Sequence, residues 1–142
     1  MMNLVSTAEM PTPEAMTALC RDTLPALFGI TVTTIEPGRI IATMMVEPRF
    51  LAPNGFLHAG SLVTLADTTC GIGTLCALRE GANFTTVELK TNFLGTVREG
   101  QLICTATAQH LGRATQIWDA EVISRASGKR LALFRCTQMI LG

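Results

Sequence analysis

Between positions 58 and 78 the chain reads HAGSLVTLADTTCGIGTLCAL, and Asp67 is its only charged side chain. The run has the length of one helix, yet its intrinsic helix propensity is poor. Thr64, Thr68, Thr69 and Thr74 lose side-chain freedom in a helix, and Gly71 and Gly73 cost more still. Such a helix forms only when packing holds it. With no charged face, only the single Asp67, it must be wrapped on most sides by the rest of the chain. The hydroxyls and the carboxyl also argue against a membrane span.

The wrapping is legible on both sides of that run. Thr12-Pro13-Glu14 reads as an N-cap followed by proline at the first helical position. It predicts a helix through Leu19, Leu24 and Leu27 that ends near Gly29. Residues 30–35 and 40–46 are β-rich and flank Glu36-Pro37-Gly38-Arg39, which predicts a hairpin with glycine at the positive-φ corner. Residues 48–57 (PRFLAPNGFL) form a loop. Four more strands are predicted at 84–94, 100–111, 114–125 and 130–141, with turn residues between them. In the first of these, alternation places Val87, Leu89 and Phe93 on one face and Thr86, Glu88, Lys90 and Asn92 on the other.

The predicted class is α+β, an antiparallel β-sheet wrapped around one long central helix. Without repeats, linkers or charge blocks, residues 1–142 read as one domain: an N-terminal helical segment (1–29), then sheet and central helix (30–142). Six strands cannot enclose a helix of ~30 Å on every side. A second copy of the chain is expected to cover its open flank, giving a homodimer at least, with a homotetramer expected.

Eleven basic residues balance eleven acidic ones. Zero net charge argues against nucleic acid as a partner and favours self-association. The five cysteines are scattered without a CxxC pair, and only two histidines accompany them. Metal-ligand spacing is absent, and no cofactor is expected. The thiols read as small reduced hydrophobes of a cytoplasmic protein, and the N-terminus lacks the pattern of a secretory signal.

Asp67 is the residue that demands an explanation. A carboxylate within a buried helix costs several kcal/mol unless it is hydrogen-bonded, paired or used. It is either satisfied by Thr64, Thr68 or backbone donors, or it is a general base or nucleophile made more basic by a partly dry cleft. His58 begins the same helix, where the first amides have no intrahelical acceptor and the dipole is positive. It acts as a cap or as part of a site. Ala59 and Gly60 carry little bulk, so a substrate oxygen can reach their amides in the manner of an oxyanion hole. Nine residues of helix separate His58 from Asp67 by ~13 Å. Only two such helices, antiparallel about a two-fold axis, bring one copy's helix start beside the other copy's Asp67.

The run from Ala52 to Asp67 (APNGFLHAGSLVTLAD) resembles the hotdog-fold acyl-CoA thioesterases of the phenylacetate-degradation (PaaI) type. Their pattern is N-P-x-G-x-x-H-G-G with an acid nine residues after the histidine. Residues 86–94, 112–122 and 127–135 are similar to that family as well, so the likeness spans roughly 48–142. The resemblance implies a hotdog fold and hydrolysis of an acyl-CoA thioester. It implies that the Ala59 amide holds the thioester oxygen, and that Asp67 of a second subunit activates water or attacks directly. His58 orients the thioester or leaving group, and Thr86 falls where relatives place a water-positioning hydroxyl; it otherwise reads as a plain strand threonine. Two departures stand out. The family's asparagine six residues before the histidine is Ala52 here, leaving Asn54 as its substitute, and Ala59 replaces a glycine.

For the phosphates of CoA, Lys90, Arg113, Lys129 and Arg130 are candidates that equally fit solvated surface charges. Trp118 fits core or interface better than an adenine platform. Met1, Met2, Met44, Met45 and Met139 suit either an adaptable acyl pocket or a core. Three other readings compete: a non-catalytic acyl-CoA-binding hotdog module, a hotdog enoyl-thioester hydratase, and a Cys–His hydrolase using Cys70 or Cys76.

Overall fold

Thr12 Oγ1 accepts the N–H of Ala15, and Pro13 opens α1 (Pro13–Leu19) as the sequence predicts. The helix does not run on to Gly29. It stops after Leu19, Asp22 takes a φ of 63°, and a separate α2 (Leu24–Leu27) follows. Pro25 explains the break, because it has no N–H to donate and its ring would strike the preceding turn of a continuous helix. In the first turn of a new helix it is harmless. The computed structural model describes residues 10–142, so Met1, Met2 and the reading of the extreme N-terminus lie outside the described residues.

β1 (Thr31–Glu36) and β2 (Arg39–Met45) form the expected hairpin, with Gly38 at φ 71°. The loop at 48–57 contains a single 3-10 turn (Pro48–Phe50) and folds back through a bridge between Leu51 and Leu57. The central helix α3 (Ala59–Cys76) follows, then β3 (Asn83–Phe93), β4 (Gln101–Leu111), β5 (Thr115–Ser124) and β6 (Arg130–Leu141). All pairings are antiparallel, in the order β1-β2-β4-β5-β6-β3. This is the α+β hotdog arrangement, with the sheet curled on one long helix.

The core lies between α3 and the inner sheet face. Leu65, Ala66 and Cys70 of the helix meet Ile40, Met44, Leu102 and Val122, all essentially without solvent exposure. Trp118 is core, 1 % exposed, and its indole N–H donates to Gln116 Oε1 at 2.9 Å. Gly73 lets the helix pass over it: a Cβ there would lie 2.5 Å from the Trp118 ring. Met44 is likewise core, whereas Met45 and Met139 are exposed. Three of the helix hydroxyls are satisfied within it, since Thr64, Thr69 and Thr74 each donate to the carbonyl four residues earlier.

The two sheet edges differ. At β1, helix α1 packs alongside and Thr17 Oγ1 accepts the N–H of Val32 at 2.9 Å. At β3, no described element covers the outer edge. β3 also corrects the expected alternation. Its register shifts between Thr86 and Glu88, so Val87 is an extra, bulged residue. Directly paired residues share a sheet face. Thr86 stands opposite buried Gln138, Leu89 opposite Cys136, Thr91 opposite Phe134 and Phe93 opposite Ala132. Thr86 therefore shares the helix-side face with Leu89 and Phe93 rather than opposing them. Leu89 (42 %) and Phe93 (49 %) nevertheless remain exposed, because α3 packs only lightly against this strand.

Candidate active site

The start of α3 is pinned by one carbonyl. Phe50 O accepts both the His58 N–H at 3.0 Å and the Ser61 hydroxyl at 2.8 Å. His58 is the N-cap, its Nδ1 accepting the Gly60 N–H at 2.7 Å. The ring then carries its proton on Nε2 when neutral, leaving an N–H donor pointing outward. The Ser61 N–H donates to His58 O at 3.0 Å. Of the four successive amides from His58 to Ser61, only that of Ala59 has no acceptor among the described residues. Gly60 is thus engaged locally, and a Cβ at that position would stand 2.9 Å from His58 Nδ1.

An apolar cavity of about 190 Å³ lies beside this amide, lined by Phe56, Leu57, His58, Ala59, Leu62, Phe93, Gly95 and Thr96. The Arg98 guanidinium sits 4.6 Å from the centre of the Phe56 ring at its margin. Sequence reasoning passed over Arg98, Phe56 and Phe93, whose proximity exists only in the fold.

Asp67 does not line that cavity. It lies half-buried on α3, facing β3. Its partner is Thr86, whose Oγ1 donates to Asp67 Oδ1 at 3.1 Å, and not Thr64, which bonds Gly60 O instead. Burial raises the carboxyl above its usual range, and the Thr86 hydrogen bond pulls it part of the way back. Thr86 Oγ1 is also 2.8 Å from Gln138 Oε1, a fully buried amide that sequence reasoning missed. The signal was present: Gln138 interrupts the inward stripe Ala132, Phe134, Cys136 at period two.

The other predicted residues scatter. Asn54 is exposed, and its Oδ1 accepts the Phe56 N–H at 3.2 Å within its own turn. Lys90 lies on the outer sheet face with Arg135 and Asp119, away from the helix. Arg113 is in the exposed turn between β4 and β5, beyond Leu111, which lines a small cavity with Gly73 and Cys76 at the far end of α3. Lys129 and Arg130 flank the start of β6, where Arg130 pairs with Glu121 at 3.3 Å. All five cysteines are free. Burial pushes the Cys70 thiol well up and the Cys76 thiol to about 11, which leaves neither as a ready nucleophile.

The sequence profile of the thioesterase superfamily matches residues 54–130. The chain belongs to that family. Among its relatives, the proofreading thioesterase EntH of Cronobacter sakazakii is 31% identical over 131 residues, covering 92% of this chain and 95% of that one. The 1,4-dihydroxy-2-naphthoyl-CoA hydrolase of Listeria monocytogenes is 29% identical over 114 residues, covering 80% and 92%. Among solved structures, a thioesterase from Haemophilus influenzae superposes with a TM-score of 0.88 at 29% identity, covering 94% of this chain and 93% of its own. The E. coli PaaI protein gives a TM-score of 0.80 at 26% identity, covering 90% and 91%. This thioesterase-superfamily member is a thioester hydrolase of the PaaI-type hotdog group, as its sequence resemblance implied. No helix among its described residues is long and apolar enough to cross a membrane.

Proposed function

We propose that this hotdog thioesterase hydrolyses acyl-CoA thioesters, RCO–S–CoA plus water giving the free acid and CoA thiol, at sites each shared between two copies. The observation that carries this reading is the separation of its two reactive features. The unpaired Ala59 amide and the Thr86-bonded Asp67 lie eight residues apart on one helix, about 12 Å. They cannot serve one carbonyl within a chain. Two α3 helices packed antiparallel about a two-fold axis bring each amide to the other's acid.

The bare β3 edge supports that pairing. β1 is shielded by α1, while β3 offers an uncovered edge with Val87, Leu89 and Phe93 exposed. A second copy covers both the strand and the open flank of the helix. Residues 1–142 act here as one domain of such a pair.

In this arrangement the thioester oxygen accepts from the Ala59 N–H, at the positive end of the helix dipole. Negative charge on that oxygen grows in the transition state, so the contact strengthens there. Asp67 of the other copy activates water or attacks the carbonyl, and its burial makes it a stronger base than an exposed aspartate. The outward Nε2–H of His58 orients the thioester or the departing thiol. Arg98, beside Phe56 at the margin of that cavity, is our candidate to meet a CoA phosphate, with Arg113 and Lys90 retained as candidates from the sequence. The name of the Listeria relative supports a CoA thioester. The free thiols fit the expected cytoplasmic setting.

The test is thiol release measured over a panel of aryl- and alkyl-CoA esters, with Asp67→Asn as control. Turnover by the parent and its loss in the variant are expected. Hydration of an enoyl-CoA without thiol release, or tight acyl-CoA binding without turnover, would replace this reading.

A further inference from the structure

Gln138 has an amide in a place that asks for a hydrocarbon. It is 0 % exposed, it follows Phe134 and Cys136 on the inward stripe of β6, and it faces α3. Its amide touches two side chains: Thr86 Oγ1 at 2.8 Å and Cys136 Sγ at 3.6 Å. Thr86 in turn touches Asp67.

The protons decide how this chain of groups runs. A hydroxyl has one hydrogen, so Thr86 donates to Gln138 or to Asp67 but not to both. A carboxamide has nearly the same shape with oxygen and nitrogen exchanged. With Nε2 toward Thr86, the Cys136 S–H donates to Gln138 Oε1, Nε2–H donates to Thr86 Oγ1, and the Thr86 O–H goes to the Asp67 carboxylate. Each link of the chain then pairs one donor with one acceptor, with a single Nε2 hydrogen used, and the ionised acid receives the last proton. With Oε1 toward Thr86, the hydroxyl is drawn away from an ionised Asp67, and the amide N–H is spent on a weak sulfur acceptor. While Asp67 is ionised, the first orientation is favoured.

We propose that Gln138 is a positioning residue for hydrolysis, fixing Thr86 so that its single hydroxyl proton is committed to the Asp67 carboxylate. The inference rests on Asp67 as the reacting acid. Gln138 acts only through Thr86 and touches no substrate. The groups that surround the chain leave it in control. Within one copy the titratable side chains facing it are the thiols of Cys70 on α3, Cys104 on β4 and Cys136 on β6, while His58 of the other copy, which the proposed pair brings beside Asp67, is the same in every variant compared. The inward positions of β2 (Ile40 to Met44) and of β5 (Gln116 to Ser124) carry no charged side chain. The charged residues of β3, Glu88 and Lys90, pair with Thr137 and Arg135 on the outer face.

The experiment compares the parent, Gln138→Met, Thr86→Val and the double variant by kcat/KM against pH. Methionine keeps the length and volume without an N–H. Gln138→Met is expected to lose on the order of tenfold in kcat/KM, the rate equivalent of one hydrogen bond. Its ascending acidic limb moves to higher pH, because the carboxylate has lost an organised donor. In the Thr86→Val background the same change has no further effect. An unmoved limb, or an equal loss in both backgrounds, makes Gln138 a packing residue and overturns the proposal.

If Gln138→Met does not fold, side-chain amide NMR of the parent decides. The Gln138 Nε2 signal should titrate with the midpoint of the acidic limb and cease to do so in Thr86→Val; a signal flat with pH in the parent overturns the proposal. Activity retained in Asp67→Asn refutes the functional reading instead, so the two failures are distinct.

Discussion

Thr86 Oγ1 lies 3.1 Å from Asp67 Oδ1, and it reaches the acid because β3 accommodates one extra residue, Val87, immediately after it. Strict alternation would put Thr86 on the face opposite Leu89. The bulge reverses that, and a polar strand residue becomes the hydrogen-bond donor to the only charged side chain of the central helix. The relationship links a local irregularity of the sheet to the basicity of the proposed catalytic group.

Asp67→Asn should reduce thiol release by at least a hundredfold, the scale of losing a general base, while the protein remains folded. The variant should also carry a pH-dependent stability gain. Folding raises the carboxyl above its ordinary value of 3.8, so the native state binds more protons than the unfolded one. Stability therefore falls as pH rises from that value through the raised one. Thermal unfolding should show Asp67→Asn more stable than the parent at neutral pH, with the difference disappearing in acid.

Ala59→Pro tests the free amide directly. Proline is well tolerated at the first helical position, and His58 already has the extended ψ of 135° that precedes proline comfortably. Helix content by circular dichroism should be unchanged. Activity should drop by about a hundredfold or more, as for removal of one oxyanion donor. Full activity would assign the oxyanion contact elsewhere.

Gly73→Ala should destabilise the fold by about 1–3 kcal/mol, as overpacked cores do. The added methyl would sit 2.5 Å from the buried Trp118 ring, and that ring is wedged between helix and sheet with little room to move. Denaturant unfolding reads the loss, with tryptophan fluorescence reporting the displaced ring.

Much of this was legible before the fold. The hairpin at Gly38, the long helix with its single charge and all six strands follow from periodicity and turn residues, and β6 begins and ends where predicted. The helix break before Pro25 was missed because Leu19, Leu24 and Leu27 read as one apolar stripe, although the five-residue step from Leu19 to Leu24 is not a helical one. The bulge was missed because Thr-Val-Glu-Leu-Lys alternates without a flaw in sequence, and only pairing with β6 shows the extra residue. Asp67, His58 and Ala59 stood out as anomalies of charge and position. Gln138 did not, since one amide in a strand is unremarkable until its neighbours prove to be buried.

Leu89→Lys should split the pair of copies. Leu89 is 42 % exposed on the helix-side face of the bare edge strand, and a lysine there meets its own symmetry mate or an apolar surface. Sedimentation should show a lighter species, and thiol release should fall with it. A monomer with undiminished activity would contradict the shared site.

The most direct measurement mixes two inactive proteins. Ala59→Pro retains Asp67, and Asp67→Asn retains the Ala59 amide. Co-expression or unfolding and refolding together should form mixed pairs in which one of the two sites is whole, recovering about a quarter of parental thiol release after random pairing. Mixtures that stay as inactive as either variant alone, despite demonstrated exchange of subunits, would show that both groups serve the same chain and would contradict the account.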